Sequence, residues 1–552
     1  MKPTTIELLE ARLAPAAVFT YTDSDGDVVT IKTSEGTDEH LADATAFLNN
    51  QFQRLDLSKA TWGEEFAGSS ITMTVKKGES GDGKAHVGFI NAEGIDLNAV
   101  TIKGDLGQID AGDTDLETNG IKTLTVASLG QFGADTQGGA GSLYSSIKGD
   151  LLKLRVAGNI AGASVDVAGE LGSMNVGGSL IGGVAEFSGF ITVSGGIDQV
   201  KIKGDLVGGT GIESDFLSGA IVSSGKIGSL SIGGSLLGGS NRPSGVVRAD
   251  DGFGRITIRG DIVGGPNDYS GRIVSGLGSL SNLTIGGSLI GGSGDDSGAI
   301  IVSGDLGRVK IGGSMVGGSM AANDGGIVVN SGSIYCEGRI ASVAIAGAMI
   351  AGHNDSNAGG IIRLSACITA GDDIGSVKVA GSIVGNEGAY ASITARGQQT
   401  PGASQDLAIG KITVGGSVAY VQFIGGYAFD TDGIQSKVNG DASIGAVKIA
   451  GSWTASYLAA GIDSVNNRLA DGDDIVIAAN DTALISRIAS IVIGGEVVGT
   501  PTHVSAVDCF GFAAQQIGSF KASGVSAKLT SGTDDPIFLS LPTGDVGLRE
   551  VV

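Results

Sequence analysis

The sequence predicts an all-β chain, a parallel β-helix (β-solenoid) of about fifteen coils with a small N-terminal head and terminal caps. Three observations predict it. A cassette reading apolar-Gly-x-apolar-x-apolar-x-Gly recurs from about residue 97 to residue 524, and repeats at such a period mark stacked architectures. Inside each copy the apolar residues alternate with a period of two, the mark of a strand with one face in and one face out. Glycine supplies 97 of 552 residues and proline only 8, with none of the three-residue period of collagen.

Clear copies are Ile227-Gly-Ser-Leu-Ser-Ile-Gly-Gly234, Leu306-Gly-Arg-Val-Lys-Ile-Gly-Gly313, Ile374-Gly-Ser-Val-Lys-Val-Ala-Gly381 and Ile444-Gly-Ala-Val-Lys-Ile-Ala-Gly451. The closing small residues are Gly104, Ser128, Gly158, Gly178, Gly204, Gly234, Gly260, Gly287, Gly313, Gly347, Gly381, Gly416, Gly451, Gly495 and Gly524. From Gly178 to Gly313 they fall 26, 30, 26, 27 and 26 residues apart, and from Gly313 to Gly451 they fall 34, 34, 35 and 35 apart. The drift reads as one core rung with growing loop insertions.

Residues 1–15 form a short amphipathic, targeting-like segment in which Glu7, Glu10 and Arg12 interrupt any signal-peptide apolar run. Residues 16–96 are a non-repetitive β-rich head. Phe19 to Ile31 reads as a β-hairpin turning at Asp25-Gly26. Glu39 to Phe52 reads as the one helix, with Leu41, Ala44, Leu48 and Phe52 on one face. Residues 97–530 are the solenoid. Its coil combines the cassette strand, a second short run such as Ser235-Leu-Leu-Gly-Gly239, and a third such as Ala299-Ile-Ile-Val-Ser303. Val and Ile suit the pleated faces and glycine suits the corners, where φ is positive. At about 4.8 Å per coil, such a stack would be roughly 70 Å long. Residues 531–552, with Pro536 and Pro542, are expected to close an otherwise open edge.

Mean hydropathy is +0.24, yet no stretch of membrane-spanning length lacks glycine and charge, so no transmembrane segment is expected. The net charge of −23 and the lack of any basic run argue against nucleic-acid binding and favour a secreted or cell-surface setting. Three cysteines are too few for a disulfide scaffold. Cys336 and Cys367 lie about one coil apart, but aligning their coils offsets them by three positions. Buried free thiols are favoured over a bridge between them.

The opening Ile6-Glu-Leu-Leu-Glu-Ala-Arg-Leu-Ala-Pro-Ala16, with Phe19-Thr-Tyr-Thr-Asp-Ser-Asp-Gly-Asp27, Val87-Gly-Phe-Ile-Asn-Ala-Glu-Gly94 and Ile102-Lys-Gly-Asp-Leu-Gly-Gln-Ile-Asp-Ala-Gly112, resembles Gly-rich β-strand-repeat surface proteins of planctomycetes and verrucomicrobia. The first element resembles their N-terminal LEPR-like segment, with Ala11 where proline is usual. The resemblance implies export to a bacterial surface and brings no catalytic residues.

Asp23, Asp25 and Asp27 place three carboxylates on one tight turn, a set of hard oxygen donors that suits calcium. The spacing departs from an EF-hand, since Gly26 stands at loop position four and Ser34 at twelve. An acidic hairpin turn without metal is the favoured alternative. Asp295-Asp296, Asp372-Asp373 and Asp473-Asp474 beside glycines read as turn formers. Arg259-Gly260-Asp261 spells an integrin-type tripeptide, but Lys103-Gly-Asp105, Lys148-Gly-Asp150 and Lys203-Gly-Asp205 occupy related slots, which makes it a variant of the repeat.

Enzymes on β-helices need clustered carboxylates, Arg or His with aromatics, and the best local cluster here is Asp250-Asp251 with Arg248 and Arg255. No nucleophile triad, zinc spacing or phosphate loop stands out, and no organic cofactor is expected. The reading is a non-enzymatic, exported structural solenoid. Homo-oligomers or polymers would form through its ends or head, giving a cell-surface filament or layer. An adhesin that binds surface glycans through residues 352–359 and 425–438 comes second, and a polysaccharide-acting enzyme third.

Overall fold

A computed structural model describes residues 17–58, 62, 64–134, 141–211, 217–321, 325–355, 357–429, 433, 435–464, 469–470, 473–481, 483–500, 509–527, 529, 537–539, 543 and 545–551. The expected targeting segment 1–15 and the two prolines of the expected cap, Pro536 and Pro542, lie outside them. The chain divides into two compact units, residues 1–177 with 193–195, and residues 178–192 with 196–552.

In the first unit β1 (Ala17–Thr22) and β2 (Val28–Thr33) form the expected antiparallel hairpin, with Phe19 opposite Ile31. Gly26 takes the turn at φ +98°. The expected helix is cut short. Only α1 (Asp38–Asp43) is helical, capped by Thr37, whose hydroxyl accepts the His40 N–H at 3.2 Å. The chain then folds back as an antiparallel pair, β3 (Thr45–Leu48) and β4 (Gln51–Asp56). Asn49 and Asn50 both adopt positive φ (+50° and +61°) between them. Two left-handed residues make the tight turn that matches strand twist, and asparagine tolerates that conformation best after glycine. The apparent helical face is accordingly split, with Phe52 buried and Leu48 51% exposed.

Next come β5 (Ser69–Lys76), β6 (Val87–Glu93) and β7 (Leu97–Gly112). β2 and β5 are antiparallel, whereas β4 pairs with β6, and β5 and β6 pair with β7, in parallel. Ile71 and Met73 of β5 lie in register with Val100 and Ile102 of the first cassette. Parallel stacking therefore starts within the head, on a rung that lacks the glycine signature. It continues through β8 (Ile121–Leu129) to Leu151–Val156 and Leu171–Val176, stacking Leu124, Leu154 and Met174.

The second unit repeats a three-strand coil. Ile227–Ile232, Leu236–Leu237 and Ser244–Ala249 are followed by their equivalents Phe253–Ile258, Ile262–Val263 and Arg272–Ser275. All three strand types pair in parallel with the next coil. One inward column runs Val200, Leu230, Ile256, Leu283, Val309, Val343, Val377, Ile412, Val447, Ile491 and Phe520. Every member is buried, which is worth about 1.5–3 kcal/mol for each large apolar side chain. The short-strand column runs from Leu206 through Met315 to Val418 and then Trp453, whose indole packs on Phe423 and Phe512 (centroids 5.7 and 4.7 Å).

Two corner columns hold the coil. In one, each side chain accepts the backbone N–H of its counterpart a coil later. Ser179 accepts from Asp205 (3.0 Å), Asp205 from Ser235 (2.7 Å), Ser235 from Asp261 (3.0 Å), Asp261 from Ser288 (2.6 Å) and Ser288 from Ser314 (3.0 Å). In the other, buried Ser218, Ser244, Ser270 and Ser297 accept the N–H groups of Gly209, Gly239, Gly265 and Gly292 at 2.8–3.1 Å. The glycines that follow them, Gly219, Gly245, Gly271 and Gly298, turn the chain at φ +56° to +63°.

The longer coils after Gly313 keep the same rungs. In the first two of them the extra residues follow the short strand, where Ile327–Val329 and Ile361–Arg363 pair in parallel outside the coil. In later coils they follow the third strand, as in the antiparallel pair Tyr427–Phe429 and Gln435–Lys437. No helix among the described residues is long and apolar enough to cross a membrane.

Candidate functional site

The structure brings Asp23, Asp25 and Asp27 together, with one carboxylate oxygen of each within 4.8 Å of the others. Most of their oxygens already serve the backbone. Asp27 is fully buried and accepts the N–H groups of Gly78 (2.7 Å) and Gly83 (2.5 Å). Asp23 accepts from Asp27 N (2.8 Å) and Gly26 N (3.1 Å), and Asp25 accepts from Asp82 N (3.0 Å). The turn thus clamps the 78–83 loop. Burial and a hydrogen bond with Asp25 push the Asp23 carboxyl up to about 6, while that same bond holds Asp25 below the usual range. Two adjacent carboxylates sharing one proton behave this way. Asp23 and Asp25 are the members with donor capacity left for a cation.

The other acidic motifs are also taken up internally. Asp261 of the Arg-Gly-Asp tripeptide is a rung of the first corner column, and Asp105 accepts the Ser128 hydroxyl at 2.6 Å. Asp295 accepts Val329 N (2.8 Å), Asp296 faces Arg272 (3.4 Å), Asp372 accepts Gln399 N (3.1 Å), Asp373 pairs with Arg339 (3.1 Å), and Asp474 accepts Ala470 N (2.6 Å). Asp250 is held by Arg248 at 2.8 Å. Buried Asp406 and Asp441 anchor later loops, accepting Gln398 N (2.6 Å) and Asp481 N (2.6 Å). Clamps such as Asp295 on Val329 and Asp441 on Asp481 escape sequence reading, because their partners lie 34 and 40 residues away.

All three cysteines are free and buried. Cys336 stacks on Val302 and beneath Ala370, while Cys367 stacks with Ser392, which preserves the three-position offset read from the sequence. Burial pushes both thiols up to about 12.

A cavity of about 260 Å³ opens on the outer face of the third-strand sheet in the second unit. Cys367, Ser392 and Gln422 form its floor in register on adjacent strands. Arg363 stands on one wall, and Phe429 and Gln435 of the antiparallel insertion on another, with Glu387 and Tyr390 between. Tyr390 packs against Tyr420 and Tyr457 (centroids 6.0 and 5.8 Å). Of the two long loops singled out in the sequence, 425–438 lines this cavity through Phe429, Gly433 and Gln435, whereas no residue of 352–359 does, and the floor and Tyr390 were missed. The only signal for them was the local rise in aromatics around residues 390–457.

No protein-family model, curated protein or solved structure matches the chain.

Proposed function

We propose that the chain is a non-enzymatic structural β-solenoid, exported to the bacterial surface, where it self-assembles into a filament or layer. The observation that carries this reading is the destination of its polar side chains. Corner serines and aspartates hold backbone N–H groups within a coil or from one coil to the next, and the candidate acidic clusters serve as loop clamps or pair with arginine. Side chains committed in this way serve a stiff scaffold. Export rests on the resemblance of the opening segment and head, and on the charge of −23.

Self-association is assigned to the head. Among the described residues β1 pairs with no strand but β2, and on its otherwise open edge the Val18 N–H is held by Asp38 Oδ1 (2.6 Å). Val18 on that open edge is 39% exposed, and Phe47 and Leu48 of β3 are 40% and 51% exposed. An open strand edge carrying apolar side chains is a template for another chain. Calcium at Asp23 and Asp25 would strengthen the same region.

Electron microscopy of the purified full-length chain across concentration, with calcium and with chelator, tests this reading. Ordered filaments or sheets are expected. Isolated particles under every condition would overturn self-assembly. Dispersal by chelator, reproduced by Asp25→Asn, would assign calcium to the turn.

The second reading is an adhesin that binds surface glycans, and the side cavity favours it, since concave sites with aromatics and a few convergent polar groups are where small ligands bind.

A further inference from the structure

We infer that the cavity bordered by Arg363, Glu387, Tyr390, Gln422, Phe429 and Gln435 binds one neutral saccharide residue, such as the terminal hexose of a glycan. This rests on the glycan-binding reading and gives it a place and a ligand class.

Size comes first. Drug-sized ligands occupy pockets of about 300–1,000 Å³, so a cavity of about 260 Å³ takes something nearer a single sugar ring. The chemistry of the walls comes second. Tyr390 and Phe429 offer apolar surface for the C–H face of a pyranose. Gln422 and Gln435 make no side-chain hydrogen bond among the described residues. Each amide presents both a carbonyl acceptor and an NH₂ donor, the pairing that a ring hydroxyl needs.

Charge comes third. Among the described residues one arginine and one glutamate line the cavity, so its described charged lining residues balance. A carboxylated or cationic sugar would lack a net partner there, and a polyanion would also meet a chain of −23.

Rigidity comes fourth. Gln422 stands on a strand paired on both sides, with Ser392 and with Tyr457, and Tyr390 is held by two tyrosines. The Tyr335 hydroxyl donates to the Phe429 carbonyl (3.4 Å), which ties the insertion to a strand three coils earlier. A site built on packed strands needs little ordering when ligand arrives.

The test uses the full chain and a panel of methyl glucoside, methyl mannoside, methyl galactoside and N-acetylglucosamine, with glucuronate and glucosamine as charged counterparts. Saturation-transfer NMR and calorimetry read binding. At least one neutral glycoside is expected to bind, with the charged counterparts weaker. The double substitution Gln422→Ala/Gln435→Ala is expected to weaken it about tenfold or more, the scale of lost polar contacts, with circular dichroism and melting unchanged. Glu387→Ala, on an exposed side chain, gives a second variant if that pair disturbs the strand. Binding unaffected by these substitutions would overturn the site and leave the adhesin reading standing. Capture of the chain by immobilised polymeric glycans with no monosaccharide bound would do the same. No binding to monosaccharides or polymers would overturn both.

Discussion

Replacing Gly245 by alanine tests the corner geometry most directly. Gly245 sits at φ +62°, and a Cβ built there would lie 2.3 Å from the Leu237 carbonyl oxygen and 3.0 Å from Gly238 Cα. The left-handed conformation costs a non-glycine residue about 1–2 kcal/mol. The carbonyl must also yield, and it accepts the Gly208 N–H at 2.8 Å, so about 1 kcal/mol more is lost with that bond. The sum is about 2–3 kcal/mol, placed in one coil. Repeat proteins distribute stability locally, so a single melting temperature is a blunt readout. Hydrogen exchange by mass spectrometry is the better one. Peptides covering residues 236–249 should exchange about 30- to 140-fold faster, while those covering residues 442–449 stay unchanged. Ala366 supplies the internal control, since it follows Ser365 at the same kind of corner with φ +51°. Ala366→Gly relieves about 1–2 kcal/mol of strain and loosens the unfolded chain by about 0.4–1 kcal/mol, so its coil should be unchanged or slightly better protected. If Gly245→Ala leaves exchange as it was, or both substitutions act equally, the corner argument fails.

Three further outcomes are expected. Asp27→Ala removes the acceptor for Gly78 and Gly83, so amides at 78–83 should lose protection by about 1.5–3 kcal/mol, with Asp27→Asn intermediate, as read by hydrogen exchange. Asp23 should titrate near pH 6 in the folded chain against its ordinary 3.8, as read by NMR of ¹³C-labelled aspartate. Because the folded state then holds more protons, its contribution to stability falls as pH rises from about 4 to 6, whereas the stability from Asp25 is lost as pH falls through its lowered value. A normal Asp23 titration would refute the shared proton. The three cysteines should resist thiol reagents at pH 8 in the native chain and all react in guanidinium, and rapid native labelling of Cys336 or Cys367 would contradict their burial.

The sequence by itself determined the coil. Its period-two apolar cassette specifies strands whose inward faces must be covered, and recurrence lets each coil cover the next, as in the column from Val200 to Phe520. It also determined the acidic hairpin and the unbridged cysteines, because both depend on near neighbours or on rung register. Only the tertiary structure decided the rest. The segment after α1 had a helical apolar pattern, but Asn49 and Asn50 could take the left-handed turn, and pairing of β3 with β4 outweighed a weak local preference. The rung at β5 carries no cassette glycines, since what places it is the edge of β7. The long coils announced their extra length but not its corner, because an insertion at either corner leaves the rung spacing in sequence the same. The cavity depends on that choice. Its floor residues Cys367, Ser392 and Gln422 lie 25 and 30 positions apart and meet only through strand register, while Arg363 and Phe429 face it from different insertions. Local periodicity fixes what a strand buries, but a site is made by residues that only stacking brings side by side.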